Sequence, residues 1–459
     1  MVARILDLHQ RHAGWGDRAT PRYLEHHMNR RLTGLTAAIA VSLSLTACSG
    51  SGDQEGAAQP AKKTQIYLVD GNTTQYGDEF KAGTFDGVKG VIPGGKSTGE
   101  FRDRLLSVDP GLKDFAYAVE SYDSVIVTAL AAEAAKSDKP NLIAAKMRDV
   151  SNAPGEKCTT YAACAKLLRA GSEIDFDGLS GPIDLNRTGS PSAASVGVFQ
   201  YGKDNTYQPI GYETGKVSAD PEPLPEQEIS GSGAPGDGRL VFGSLLPQTG
   251  DLSYLGPPMS AGVKVAVDEL NDQGGVLGED VRLVSADSGD GTPNIAPQET
   301  DKLLDQDADV IVGTASSSVS LSVLDKIVNA GVLNISPSVT SPAFDTFPDR
   351  GLFFRLMQSD ALQGGVLANT MSNDGYTDIA ILVRQDAWGQ GLAAGIEAAF
   401  GASGGNVVAT RFYAADSGGF TAEVNAVKAA DPDAIALVGF DETKKIVPEL
   451  IKAGLWMGR

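Results

Sequence analysis

The sequence predicts an α/β protein built on doubly wound parallel sheets. Three observations predict it. Seven short apolar runs recur in the later part of the chain, at 240–246, 281–285, 310–312, 332–335, 379–383, 407–412 and 434–438, each the length of a buried strand. Helical patterns separate them. Between 260 and 270, for instance, Val263, Ala266, Val267 and Leu270 fall on one helical face, and Gly274-Gly275 ends that helix. Strands alternating with amphipathic helices must be covered on both faces, as parallel sheets are. The chain also has 459 residues, 42% of them hydrophobic, enough for two modest domains.

Taken from the start, Met28 is followed by Arg30 and Arg31, an apolar stretch over 32–45, and then Leu45-Thr46-Ala47-Cys48. A basic segment, a short apolar segment and small residues before the cut describe a signal peptide over 28–47. The cysteine directly after them resembles the bacterial lipoprotein box, which implies that Cys48 is lipidated and becomes the first mature residue. The competing assignment is a transmembrane helix, which needs about 20 apolar residues; this stretch is shorter. A signal peptide works from a free N-terminus, so residues 1–27 are expected to be a non-native upstream extension. That segment holds all four histidines, His9, His12, His26 and His27. Formal charge is −20. Without residues 1–47, which carry six Arg and three acids, 32 basic residues face 55 acidic ones, a balance of −23. Such a chain repels phosphate backbones, which excludes nucleic acid as a partner.

Residues 48–62 are rich in Gly, Ser, Gln and Ala and read as a flexible tether. A first folded block, 63–218, follows. It carries apolar strand patterns at 65–69 and 88–92, helices at 101–106 and 115–135, a loop-rich stretch at 158–186 and a closing apolar run at 194–201. Cys158 and Cys164 are expected to form a disulfide outside the cytoplasm; two free buried thiols are the alternative. Six residues of continuous helix would hold the two Cα atoms about 9 Å apart, too far for a bridge, so Cys158 should sit in the loop before the helix that carries Cys164. Residues 219–237 are Pro-, Glu- and Gly-rich and read as a linker. The second block, 238–459, holds the seven runs above. After a helix at 442–454 one more strand is expected.

Five motifs sit where these strands end. Gly313-Thr-Ala-Ser-Ser-Ser-Val319 leads from a strand into a helix, and hydroxyls with free N–H groups at a helix N-terminus suit a carboxylate; plain N-capping is the bland alternative. Ile335-Ser-Pro-Ser-Val-Thr340 closes the next strand, where a Ser/Pro turn is common. Asp386-Ala-Trp-Gly-Gln-Gly391 and Val438-Gly-Phe440 place aromatics at strand ends, although a lone aromatic is more often core. Val69-Asp70-Gly71 adds a carboxylate.

This set, with the strand, loop and helix opening at 240, resembles the type I periplasmic binding proteins, the leucine/isoleucine/valine receptors of ABC importers. The resemblance covers essentially 64–218 and 238–459, in an order opposite to the family's. It implies two doubly wound lobes joined by a three-crossover hinge, with a circularly permuted chain in which 219–237 joins the old ends. The segment 238–459 would be the family's N-terminal half (lobe I about 238–355, lobe II about 356–459), and 63–218 its C-terminal half, shared between both lobes. About 20 linker residues span up to about 66 Å, ample for surface termini. A misassembled reading frame is the alternative; no duplicated element points to broken tandem copies. The resemblance places crossovers near 354–358, 84–87 and 175–181. It also assigns ligand contacts: Ser317, Ser338 and Thr340 to the carboxylate and head group, Asp70 to the α-ammonium, and Trp388 and Phe440 to the walls. The family's acid is usually Glu, and its leucine binder has two Tyr where this chain has Trp and Phe.

The implied protein is an extracytoplasmic, monomeric receptor held to the outer face of the cell membrane by Cys48, handing an amino acid, branched-chain by the resemblance, to ABC permease subunits. The alternative is a sensing module of the same fold that signals instead of delivering. No enzyme, cofactor or metal is expected, since zinc sites and Ser-His-Asp machinery lack parts without histidine. Gly231-Ser-Gly-Ala-Pro-Gly236 precedes a strand instead of following one, so it is no dinucleotide site. Asp287-Ser-Gly-Asp-Gly291 lacks EF-hand spacing.

Overall fold

A computed structural model describes residues 64–216 and 236–456, all within one compact unit. The expectations for residues 1–27, the signal peptide, Cys48, the tether and nearly all of the linker lie outside the described residues. Two sheets organise the rest. The first, here lobe II, runs in the order Asn406–Tyr413, Asp378–Arg384, Ala434–Val438, Gln65–Leu68, Lys89–Pro93, Ala193–Tyr201, Tyr207–Lys216. Its first five strands are parallel and its last two antiparallel. The expected parallel, doubly wound sheet is thus extended at one edge by two antiparallel strands. The turn between Tyr201 and Tyr207 is too short for a crossover, which needs a dozen or more residues, and Asn205 takes the left-handed conformation (φ 56°) that reverses the chain.

The second sheet, lobe I, is fully parallel: Phe353–Arg355, Leu333–Ser336, Val310–Gly313, Val241–Leu246, Arg282–Asp287. All seven predicted runs are strands. The strand expected after the last helix is supplied by Gln65–Leu68, which lies parallel to Ala434–Val438 in register Gln65 to Ala434 through Leu68 to Leu437. The Gln65 N–H donates to the Asp433 carbonyl at 3.0 Å. Segments at opposite ends of the chain thus share one sheet.

The first block also supplies lobe I. Helix Ala118–Ala135 is almost wholly buried, its apolar residues spread over all faces, and its polar residues Glu120, Asp123 and Glu133 are buried with hydrogen-bond partners. It packs on Gly256–Asp272, where Gly262 permits the approach: a Cβ there would lie 2.3 Å from the Ala118 carbonyl. Helix Pro140–Ser151, helix Tyr161–Arg169 and a small sheet of Glu156–Cys158, Ile174–Gly178 and Gly181–Pro182 pack on the same side. Cys158 ends the first of these strands and is disulfide-bonded to Cys164 in the following helix, with Cα atoms 5.4 Å apart.

The chain passes between lobes three times, at 94–98, 183–192 and 356–359. Gly94, Gly95, Ile183, Pro191, Leu356 and Met357 border one small cavity, so the three strands of chain lie side by side. Only the last was placed correctly. Residues 84–87 belong to lobe II, where the Trp456 indole N–H donates to the Thr84 carbonyl at 2.8 Å; residues 175–181 belong to the small sheet of lobe I. Both misplacements follow from boundaries: each true crossover lies one short strand further along, beyond Lys89–Pro93 and beyond Gly181–Pro182.

Candidate functional site

Strand ends of both lobes meet at one point. Asp70 and Gly71 follow Gln65–Leu68; Ser317 opens helix Ser317–Asn329; Ser338 follows Leu333–Ser336; Trp388 opens helix Ala387–Ala402; Phe440 follows Ala434–Val438. Asp70, Ser317, Ser338, Trp388 and Phe440 line a single cavity between the lobes, with Tyr117, Leu252 and Leu255. Parallel strands aim their carboxyl ends at such a crevice. Thr340 sits behind this wall, fully buried against Asp360.

The serine cluster is tightly held. Ser316 caps the helix, its hydroxyl accepting from the Val319 N–H at 3.4 Å and donating to the Gly291 carbonyl at 3.1 Å. The Ser317 hydroxyl accepts from the Ser341 N–H at 3.3 Å, and Ser338 donates to the Ala315 carbonyl at 3.2 Å. Two neighbours clamp the lobes together at Ala387: Ser318 accepts from its N–H at 3.0 Å and Ser341 donates to its carbonyl at 3.1 Å. On the far side Tyr254 donates to the Gly71 carbonyl at 2.6 Å.

Asp70 is buried, with Tyr117 donating to one oxygen and Gln363 to the other, each at 2.7 Å. Burial pushes its carboxyl above the usual Asp range, against the lowering effect of those two donors. Asp360 is fully buried and pushed well up by that burial, with the Thr340 hydroxyl opposing, the nearby Asp70 adding to the rise and Arg355 opposing it. The Gln363 amide oxygen and the Trp388 indole N–H are buried without hydrogen-bond partners, and the Asp360 carboxylate has only the Thr340 hydroxyl beside it, without a well-formed hydrogen bond. Orphaned polar atoms this dense are costly unless something else satisfies them.

The aromatic wall differs from expectation. Trp388 and Phe440 stack on each other, centroids 4.8 Å apart and 18° from parallel. The other face of Phe440 is covered by the guanidinium of Arg384 at 4.4 Å, itself buried against Glu442 at 3.0 Å and Asp386 at 2.9 Å. Only the outer face of Trp388 and the ring edges remain for a guest. Gly71 makes the packing possible: a Cβ there would lie 2.5 Å from the Trp388 ring. The cavity measures about 20 Å³, room for about one water, so an amino-acid-sized guest requires the lobes to part.

Sequence reasoning missed Tyr117, Gln363, Asp360 and Arg384. Tyr117 precedes a buried helix and looks like core. Asp360 and Gln363 lie on the helix after a crossover, where an acid and an amide are ordinary N-terminal residues. Nothing local marks them; they matter because distant segments converge.

Residues 240–456 match the family model described as periplasmic binding protein, and residues 56–204 match the one described as receptor family ligand binding region. The chain is 29% identical over 204 residues to the Leu/Ile/Val-binding protein BraC3 of Rhizobium johnstonii, covering 44% of this chain and 54% of that protein. It is also 29% identical over 222 residues to the chemotactic signal transduction system substrate-binding protein BasB of Halobacterium salinarum, covering 46% and 53%. Among solved structures it is similar to the branched-chain amino acid transporter substrate binding protein LivJ of Streptococcus pneumoniae in complex with isoleucine, with 25% identity, TM-score 0.42, and coverage of 47% and 62%. The chain spans about half the length of the curated relatives it matches.

Proposed function

We propose, for a chain that belongs to the type I periplasmic binding proteins, that it captures an amino acid outside the cytoplasm and delivers it to an ABC importer. One observation carries this reading: Asp70, from the start of the chain, and Ser317 and Ser338, from its later half, border the same interlobe cavity. The Ser317 hydroxyl and the N–H groups at its helix terminus suit an α-carboxylate, and the buried Asp70 carboxylate suits an ammonium. Leu252, Leu255 and the outer face of Trp388 offer apolar contact to a side chain, and a relative that matches about half its own length is named for leucine, isoleucine and valine. Lobes that part at the three crossovers would admit the ligand and then close over it. The anchor is Cys48, in line with the lipoprotein-like run that ends there. The reversed order of the two matched segments is a circular permutation, favoured by the way Gln65–Leu68 completes the sheet begun by Ala434–Val438.

A screen of amino acids by ligand-dependent melting tests the reading. The parent is expected to gain melting temperature with at least one aliphatic amino acid, and Asp70→Ala and Ser317→Ala, at residues that line the cavity, each to erase the gain. A parent that responds to no amino acid or related amide contradicts the ligand class; variants that respond like the parent contradict the pocket. A sensing role is the second reading, favoured by the match to BasB. Deletion of the gene with ligand uptake intact would select it.

A further inference from the structure

A second and larger cavity, of about 270 Å³, lies beside the first. Tyr117 is the wall between them, bordering both, with its hydroxyl on Asp70. On one side stand the antiparallel edge strands of lobe II; on the other stand the 94–97 crossover and the 113–117 segment that leads into helix Ala118–Ala135 of lobe I. We propose that this cavity is a second ligand site, for a compact organic monocarboxylate with an apolar or aromatic body.

Charge is the first argument. In a chain of net charge −20, three cations, Lys96, Arg102 and Lys113, converge on one cavity, all three exposed and none in an ion pair among the described residues. The two acids there are otherwise engaged. Asp114 accepts from the Phe115 and Ala116 N–H groups at 2.7 and 3.1 Å and from the Tyr207 hydroxyl at 3.1 Å. Glu120 accepts from the Gly95 N–H at 2.6 Å. Three cations against two acids leave a positive surplus, and a concave wall with such a surplus concentrates the opposite sign. The second argument is the lining: Phe199 packs edge-on against Tyr207 and Tyr212, centroids 5.0 and 6.2 Å apart, and Arg102 lies 4.9 Å over the Phe115 ring. Aromatic rings set among charged and polar side chains give a small organic ion both apolar contact and groups that orient it. A guest here touches both lobes, so its binding is coupled to their closure and, through Tyr117, to occupancy of the first cavity.

Calorimetric titration of the full chain with 3-phenylpropanoate tests the proposal, beside its neutral counterpart 3-phenylpropanol. The parent is expected to bind the acid and not the alcohol. Arg102→Ala/Lys113→Ala should weaken binding about tenfold or more, the size of a lost hydrogen bond to a charged group, while Thr340→Ala, behind the first cavity, retains it. A parent that does not bind the acid overturns the site, as does equal binding of the alcohol, unchanged affinity in the double variant, or loss confined to Thr340→Ala. Because the two changed residues are exposed, the double variant should melt within a few degrees of the parent, which keeps a loss of binding interpretable.

Discussion

Among several buried acids with raised carboxyls, Asp70 and Glu120 each carry a separate pH prediction. Asp70 must be ionised to hold an ammonium, and burial raises its carboxyl above the ordinary value of 3.8. Ligand affinity should therefore weaken on acidification from a pH above that value, sooner than an exposed Asp would allow; affinity titrated between pH 7 and 4 measures it. Glu120 caps the first crossover, and burial raises it from 4.5 to about 8, with Asp123 adding to the rise and the Gly95 N–H opposing it. A group raised in the folded state contributes stability that is complete below its unfolded value and lost as pH rises through the folded one. The Glu120 contribution to stability should therefore fall between about pH 4.5 and 8. Glu120→Gln, which retains an acceptor for Gly95, should melt above the parent at pH 8.5 and level with it near pH 4.5. Equal melting at both values would remove Glu120 from the account.

Elements were legible where local pattern decides them. Val310–Gly313 and Ala434–Val438 are wholly buried strands, and their unbroken apolar runs say so. Helix Pro140–Ser151 and strand Tyr207–Lys216 went unread. The helix carries Lys and Arg among its apolar positions, and the strand is broken by Pro209, Gly211 and Gly215 and largely exposed; its place comes from pairing with Ala193–Tyr201. Among the residues that border or support the cavity, Ser317 and Asp70 stood out at strand ends with motifs, whereas Tyr117 and Gln363 did not, because their contact with Asp70 exists only across the fold. The disulfide was legible from compartment and spacing. It closes a loop of only six residues, so Cys158→Ser/Cys164→Ser should cost about 2 kcal/mol, seen as a melting temperature lower by a few degrees, with ligand affinity unchanged because the small sheet lies away from the cavity.

At the scale of the molecule, the fold depends on contacts rather than on written order. The pairing of Gln65–Leu68 with Ala434–Val438 requires only that both segments be present and tethered. A chain rewritten with 236–456 ahead of 64–216 should therefore show the same ligand-dependent melting; failure to fold would mean that the order itself is required. The most direct test of a single cleft assembled from both segments is calorimetric titration of the chain, of Asp70→Ala and of Ser317→Ala with the amino acid that most raises its melting temperature. One site is expected in the parent, weakened in both variants, in Asp70→Ala by about 30-fold or more as for a lost partner of a buried charge. Binding that survives intact in either variant would contradict the cleft.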